Sequence, residues 1–144
     1  MAFRHLLVAT DFSDCSARAL ELAIELAQQF DAQLTLVHTW EVPNFGYGAA
    51  LYFPGDLLTP IEQAAQSQLN TTTKEVQGRL PRAKSVLRAG VAWDEIIAAA
   101  ASSQADLIVI GTHGRRGVSR ALLGSVAERV VRLSPVPVLT VRGA

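Results

Sequence analysis

The sequence has one cysteine, two lysines and no long apolar run, and each scarcity removes a class of protein. Cys15 alone cannot close an intramolecular disulfide, and no Cys/His cluster has zinc-ligand spacing, which fits a reducing compartment. The only lysines, Lys74 and Lys84, stand in no Gly-x4-Gly-Lys-Ser/Thr loop, so the chain carries no Walker motif. Its apolar stretches fall short of the ~20 residues that cross a bilayer, and the N-terminus lacks the basic, apolar and small-residue succession of a signal peptide. A cytoplasmic protein is expected. An excess of charge of one sign is missing too: 13 Lys+Arg balance 13 Asp+Glu, with a pI near 6.8. Partners such as nucleic acid and acidic membranes reward a large basic excess, so neither is expected.

What is present is a chain of 144 residues, 49% hydrophobic, that reads as one domain over 1–144. At this length roughly 70% of the unfolded surface can be buried, enough for a core without disulfides. The short continuous apolar run Phe3 to Ala9 predicts a buried parallel strand. A helix is predicted over Ser13 to Phe30, with Asp14, Arg18, Glu21, Glu25, Gln28 and Gln29 outward and Ala17, Leu20, Ile24 and Ala27 inward. Ala32 to Thr39 completes a strand–helix–strand unit.

Residues 41–58 break every period, and five of the nine aromatic residues (Trp40, Phe45, Tyr47, Tyr52 and Phe53) fall between positions 40 and 53. Such a loop can cover something apolar or pack on its own domain. Thr59-Pro60-Ile61-Glu62 predicts a capped helix start, with the helix running to about Arg79 and stopped by Gly78 and Pro81. Ala83 to Ala89 is the third strand. A helix follows over Ala92 to Ser102, marked by Trp93, Ile96, Ile97, Ala100 and Ala101, then a strand over Asp106 to Ile110, a helix over Ser125 to Leu133 and a last strand over Val136 to Arg142. Pro137 places that last strand at an edge, because proline cannot donate to a central ladder. Alternation of this kind predicts an α/β fold: a parallel sheet with helices on both faces and right-handed crossovers.

In open sheets of this type ligands bind beyond the carboxyl ends of the strands. That rule selects Ala9-Thr10-Asp11, His38-Thr39-Trp40 and the loop Gly111 to Ser125. The loop reads Gly-Thr-His-Gly-Arg-Arg-Gly-Val-Ser-Arg-Ala-Leu-Leu-Gly-Ser and leads from a strand into a helix. Glycines allow close backbone approach and positive φ, and the free N–H groups of a helix start attract phosphate. Ser125 with Glu128 predicts a capping box, which turns the Ser125 hydroxyl and N–H and the Gly124 N–H toward an anion. The alternative is that the glycines only turn the chain and Ser125 only caps. From Gly111 to Arg132 five arginines face one acid, an excess of four positive charges within a neutral chain. Arg115, Arg116 and Arg120 could neutralise a triphosphate or be solvated; His113 could touch phosphate but is expected to face solvent; His5, His38 and Cys15 are expected to be structural. Asp11 suits a ribose hydroxyl, a magnesium ion held through water, or the N-cap of the first helix.

The spacing Gly111-x2-Gly114-x9-Gly124-Ser125, preceded by Asp106-Leu-Ile-Val-Ile and followed by Val126-Ala-Glu-Arg-Val-Val, resembles the ATP-binding signature of the universal stress protein family. Val8-Ala9-Thr10-Asp11-Phe12-Ser13 and Pro135-Val136-Pro137-Val138-Leu139 extend the likeness over the whole chain. The resemblance implies a five-stranded Rossmann-like sheet of order 3-2-1-4-5, a homodimer formed through the strand Val136 to Arg142, and a bound adenine nucleotide (ATP, or AMP or ADP), with Mg2+ accompanying it. It places Ala9, Thr10, Asp11 and Thr39 around adenine and ribose, with Ile110 lining the pocket. Gly111, His113, Gly114, Arg115, Gly117, Gly124, Ser125 and Val126 fall around ribose and phosphates. Ala9 stands where the family often has proline and Thr39 where it often has valine. A stress-response regulatory domain is expected; lacking a P-loop lysine or paired carboxylates at the motif, the chain is expected to hydrolyse ATP slowly at most.

Overall fold

The structure, a computed structural model, describes residues 2–42, 58–114 and 123–143. Five strands and four helices alternate: β1 (His5–Ala9), α1 (Asp14–Phe30), β2 (Gln33–Trp40), α2 (Leu58–Gln77), β3 (Lys84–Ala89), α3 (Ala92–Ser103), β4 (Leu107–Gly111), α4 (Ser125–Leu133) and β5 (Val138–Val141). The strands form one parallel sheet of order β3-β2-β1-β4-β5. The order reverses between β1 and β4, where a cleft for ligands is expected.

The two faces of the sheet sort by the strand period of two. Leu6, Val8, Leu34, Leu36, Leu107 and Val109 pack with Ala19, Ala23, Ile24 and Ala27 of α1 and Leu69 and Val76 of α2. On the other face Leu7, Ala9, Val37, Ile108 and Ile110 pack with Ile96, Ala99 and Ala100 of α3 and Ala127 and Val130 of α4. The central strands are buried on both sides, which is why they read as unbroken apolar runs. Pro137 lies just ahead of β5, where its carbonyl accepts from Ile108 N at 3.0 Å, and β5 is an edge strand as the proline requires.

Several local expectations are corrected. The buried stripe of α1 is Cys15, Ser16, Ala19, Ala23, Ile24 and Ala27, and Ala17 is exposed. All-apolar stretches such as Ala19-Leu20 do not fix the rotation of the stripe. The N-cap of α1 is Ser13, which accepts from Ser16 N, not Asp11. Helix α2 already includes Leu58, so Thr59 is not its cap; Pro60 lies in the first turn, where a missing N–H costs no intrahelical bond. Gly124, rather than Ser125, is the N-cap of α4.

Candidate functional site

The turn leaving β1 is built around Thr10 and Asp11. Thr10 is buried, and its polar groups are used inside the protein: its N–H donates to Val37 O at 2.9 Å, its carbonyl meets His38 Nδ1 at 2.8 Å, and its hydroxyl lies 3.2 Å from Ser16 Oγ and accepts from Phe12 N. Asp11 Oδ1 accepts from Ser13 N at 3.0 Å, which leaves Oδ2 directed elsewhere. Between them Phe12 adopts a left-handed φ of 64°, a costly conformation for a bulky residue. The two other non-glycine residues with positive φ, Asp31 and Gln104, simply terminate helices. The Phe12 ring rests 4.5 Å from the His38 ring, so the strained turn is braced by packing. No sequence signal marked Phe12.

The loop leaving β4 faces that turn. Its glycines are required by close approach, not by positive φ: among the described glycines only Gly90 is left-handed. A Cβ at Gly111 would lie 2.8 Å from Cys15 Sγ and 3.2 Å from the Cys15 carbonyl carbon and oxygen. At Gly114 it would lie 2.5 Å from Asp11 Oδ2, and at Gly124 2.9 Å from Thr112 O. The spacing thus draws together the β1 turn, the β4 loop and the start of α4. Thr112, which sequence reasoning passed over, is the hub. Its N–H donates to Val141 O at 2.9 Å and its carbonyl accepts from Gly124 N at 2.6 Å. Backbone roles of this kind leave no trace in side-chain identity.

Two expectations about individual groups change. The Gly124 N–H is bonded to Thr112 and is not turned toward an anion. The remaining N-terminal amides of α4, at Ser125, Val126 and Ala127, receive no side-chain cap from Gly124; they carry the positive end of the helix. His113 does not face solvent: its Nδ1 lies 3.1 Å from Thr112 Oγ1, and its Nε2 is fully buried without a hydrogen-bond partner. A buried unpaired nitrogen beside an uncapped helix start, with a glycine on each side of the loop's base, suits an anionic ligand.

The other predicted residues divide. Ala9 and Ile110 are buried in the core beneath the crevice, Thr39 is half-buried at the end of β2 beside Arg88 of β3, and Val126 packs on the α3/α4 face. Ser125 is exposed. Arg115, Gly117, Arg116 and Arg120 lie outside the described residues, as do Phe45, Tyr47, Tyr52 and Phe53. The expected structural roles of the other histidines are visible: His5 Nε2 lies 2.7 Å from Thr35 Oγ1, and His38 holds Thr10. Cys15 is buried, with Sγ 3.5 Å from Val141 O. Among the described residues no cluster of three or more His, Cys, Asp or Glu could hold a metal ion, and no helix is long and apolar enough to cross a membrane.

Comparison with known proteins agrees with this architecture. A universal stress protein of Thermus aquaticus is 36% identical over 97% of this chain and 99% of its own length, and one of Methanocaldococcus jannaschii, MJ0531, is 33% identical over 97% and 82%. Among solved structures, the universal stress protein UspA from Lactobacillus plantarum superposes with a TM-score of 0.85 at 25% identity, covering 99% of both chains. A universal stress protein in complex with cAMP superposes with a TM-score of 0.69 at 26% identity, covering 100% of both. The model of the universal stress protein family matches residues 2–142, and the chain belongs to that family.

Proposed function

We propose that this chain is an adenine-nucleotide-binding regulatory domain of the cytoplasmic stress response, working as a homodimer whose contacts, or whose partner's, change with nucleotide load. The observation that carries the reading is the convergence at the β1/β4 switch point: the Asp11 carboxylate, the Gly114 backbone and the uncapped start of α4 meet around the buried His113 Nε2. Adenine and ribose would lie against Ala9, Thr39, Ile110 and Asp11, and phosphates against Gly114 and the Ser125 and Val126 amides, with Arg115 and Gly117 on the same loop. Mg2+ would come with the phosphates and meet Asp11 through water, since a lone carboxylate suits a hydrated magnesium ion. A relative solved with cAMP supports an adenine ligand. The half-buried edge strand β5, within Val136 to Arg142, supports pairing of two copies there.

Mass spectrometry of the denatured, mildly purified protein, followed by ATP titration, tests the reading. Adenine nucleotide released at near-stoichiometric amounts is expected from the natural chain. Gly124→Val, which drives a side chain onto Thr112 O, should release none while keeping a native circular dichroism spectrum. Absence of co-purified nucleotide together with no binding at millimolar ATP would sink the proposal.

A further inference from the structure

We infer that the Asp11 carboxylate makes this site sort nucleotides by phosphate charge: without a divalent cation it favours a monophosphate, and a triphosphate binds well only with the cation present. The inference rests on the nucleotide reading above and concerns the regulation of that same site.

The geometry behind it is the tightest approach found at any described glycine, the 2.5 Å between Asp11 Oδ2 and the position of a Gly114 Cβ. Asp11 therefore lies directly against the loop backbone that leads from the β1/β4 crevice to α4. A phosphate chain running from that crevice to the Ser125 and Val126 amides passes this carboxylate. The carboxylate is held in place: its Oδ1 accepts from Ser13 N, and Ser13 in turn caps α1 through Ser16 N. Swinging it aside gives up the turn that starts the helix. Two like unit charges about 5 Å apart, in the dielectric of a protein surface, weaken binding by about tenfold. A monophosphate placed near the ribose meets little of this repulsion, whereas the charges of a triphosphate extend along it. A divalent cation between carboxylate and phosphates cancels the repulsion. Arginines 115, 116 and 120 attract every phosphate and raise all affinities together, so a difference made by Asp11 alone isolates the carboxylate.

Equilibrium titration of the full chain with AMP and with ATP, each in EDTA and in excess Mg2+, reads the effect. In EDTA the natural chain should bind AMP about tenfold more tightly than ATP, and Mg2+ should close the gap. Asp11→Asn keeps an oxygen for the Ser13 N–H, so the turn survives, and it should remove most of the EDTA gap without Mg2+. Equal affinities for AMP and ATP in EDTA in the natural chain overturn the inference, and that arm needs no variant. A gap unchanged in Asp11→Asn, folded by circular dichroism, overturns it as well. If neither nucleotide binds the natural chain in any buffer, the nucleotide reading falls and this inference with it; binding without the predicted gap leaves that reading standing and removes this one.

Discussion

Replacing Gly111 by alanine separates two reasons for a glycine at the end of β4. If the residue is there only to let a ligand approach, Gly111→Ala in nucleotide-free protein should be neutral or slightly stabilising, because alanine restricts the unfolded chain by about 0.4–1 kcal/mol. The structure gives the opposite sign. The new methyl would meet Cys15 Sγ at 2.8 Å and the Cys15 carbonyl carbon and oxygen at 3.2 Å, and two of those three atoms are backbone in the first turn of α1. Overpacking of this kind costs about 1–3 kcal/mol, so a net loss of about 1–2 kcal/mol is expected after the unfolded-state gain. In a domain of this size that lowers Tm by about 4–8 °C. Cys15→Ala removes the sulfur but leaves the backbone contacts, so it should relieve part of the clash. Urea unfolding of the four proteins in a double-mutant cycle should give a coupling of about 1 kcal/mol in favour of the double variant. A Gly111→Ala midpoint at or above that of the natural chain, or a cycle additive to within about 0.3 kcal/mol, refutes the packing argument.

Two further outcomes follow from local chemistry. Ser13→Ala removes the acceptor for Ser16 N at the start of α1 and should cost about 1 kcal/mol in urea unfolding; an unchanged midpoint would show that the cap is dispensable. Burial lowers the His5 imidazole below the usual histidine range of about 6.5, against the opposing pull of Asp106, with Lys84 adding to the lowering and the Ser103 carbonyl resisting it. The unfolded chain then binds more protons than the folded one below about pH 6.5, so His5 makes the fold lose stability as pH falls from 7 toward 5, and none is lost from this source above that range. Urea midpoints measured across that interval should fall less steeply in His5→Gln, and parallel slopes would exclude the assignment.

How far the sequence carried depends on what kind of interaction fixed each feature. The strands around Val8, Leu36 and Val109 were legible because burial on both faces demands unbroken apolar runs. The edge position of β5 was legible because Pro137 cannot donate to a central ladder. The strand order came from resemblance to a family, since alternating elements alone fit several orders. Helix starts were read one residue out where two chemistries competed: Ser125 is a strong capping residue, yet Gly124 takes the cap because its N–H is already bonded to Thr112 O and its carbonyl receives Glu128 N. Glu128, read as the far half of a capping box, instead reaches Arg132 at 3.5 Å. The site's polar side chains were visible in the sequence, but their use was not. Thr10 looked like a ligand residue and proved to be consumed by Ser16, Phe12, Val37 and His38. His113 looked solvated and has a buried nitrogen. Phe12 and Thr112 act through backbone geometry, which residue identity does not encode.

The bond from Gly124 N to Thr112 O fastens the base of the segment between them the way a drawstring closes a bag. Its neck is held from outside by Val141 and from beneath by the glycine contacts, so the eleven residues in between, 113–123, bear none of the sheet's register. Doubling the length of a closed segment costs only about 0.6 kcal/mol in chain entropy. The drawstring therefore makes the middle of this segment interchangeable: sequences of different length and charge can be exchanged between the same two fixed points, and what the protein recognises can diverge while the scaffold beneath is inherited unchanged.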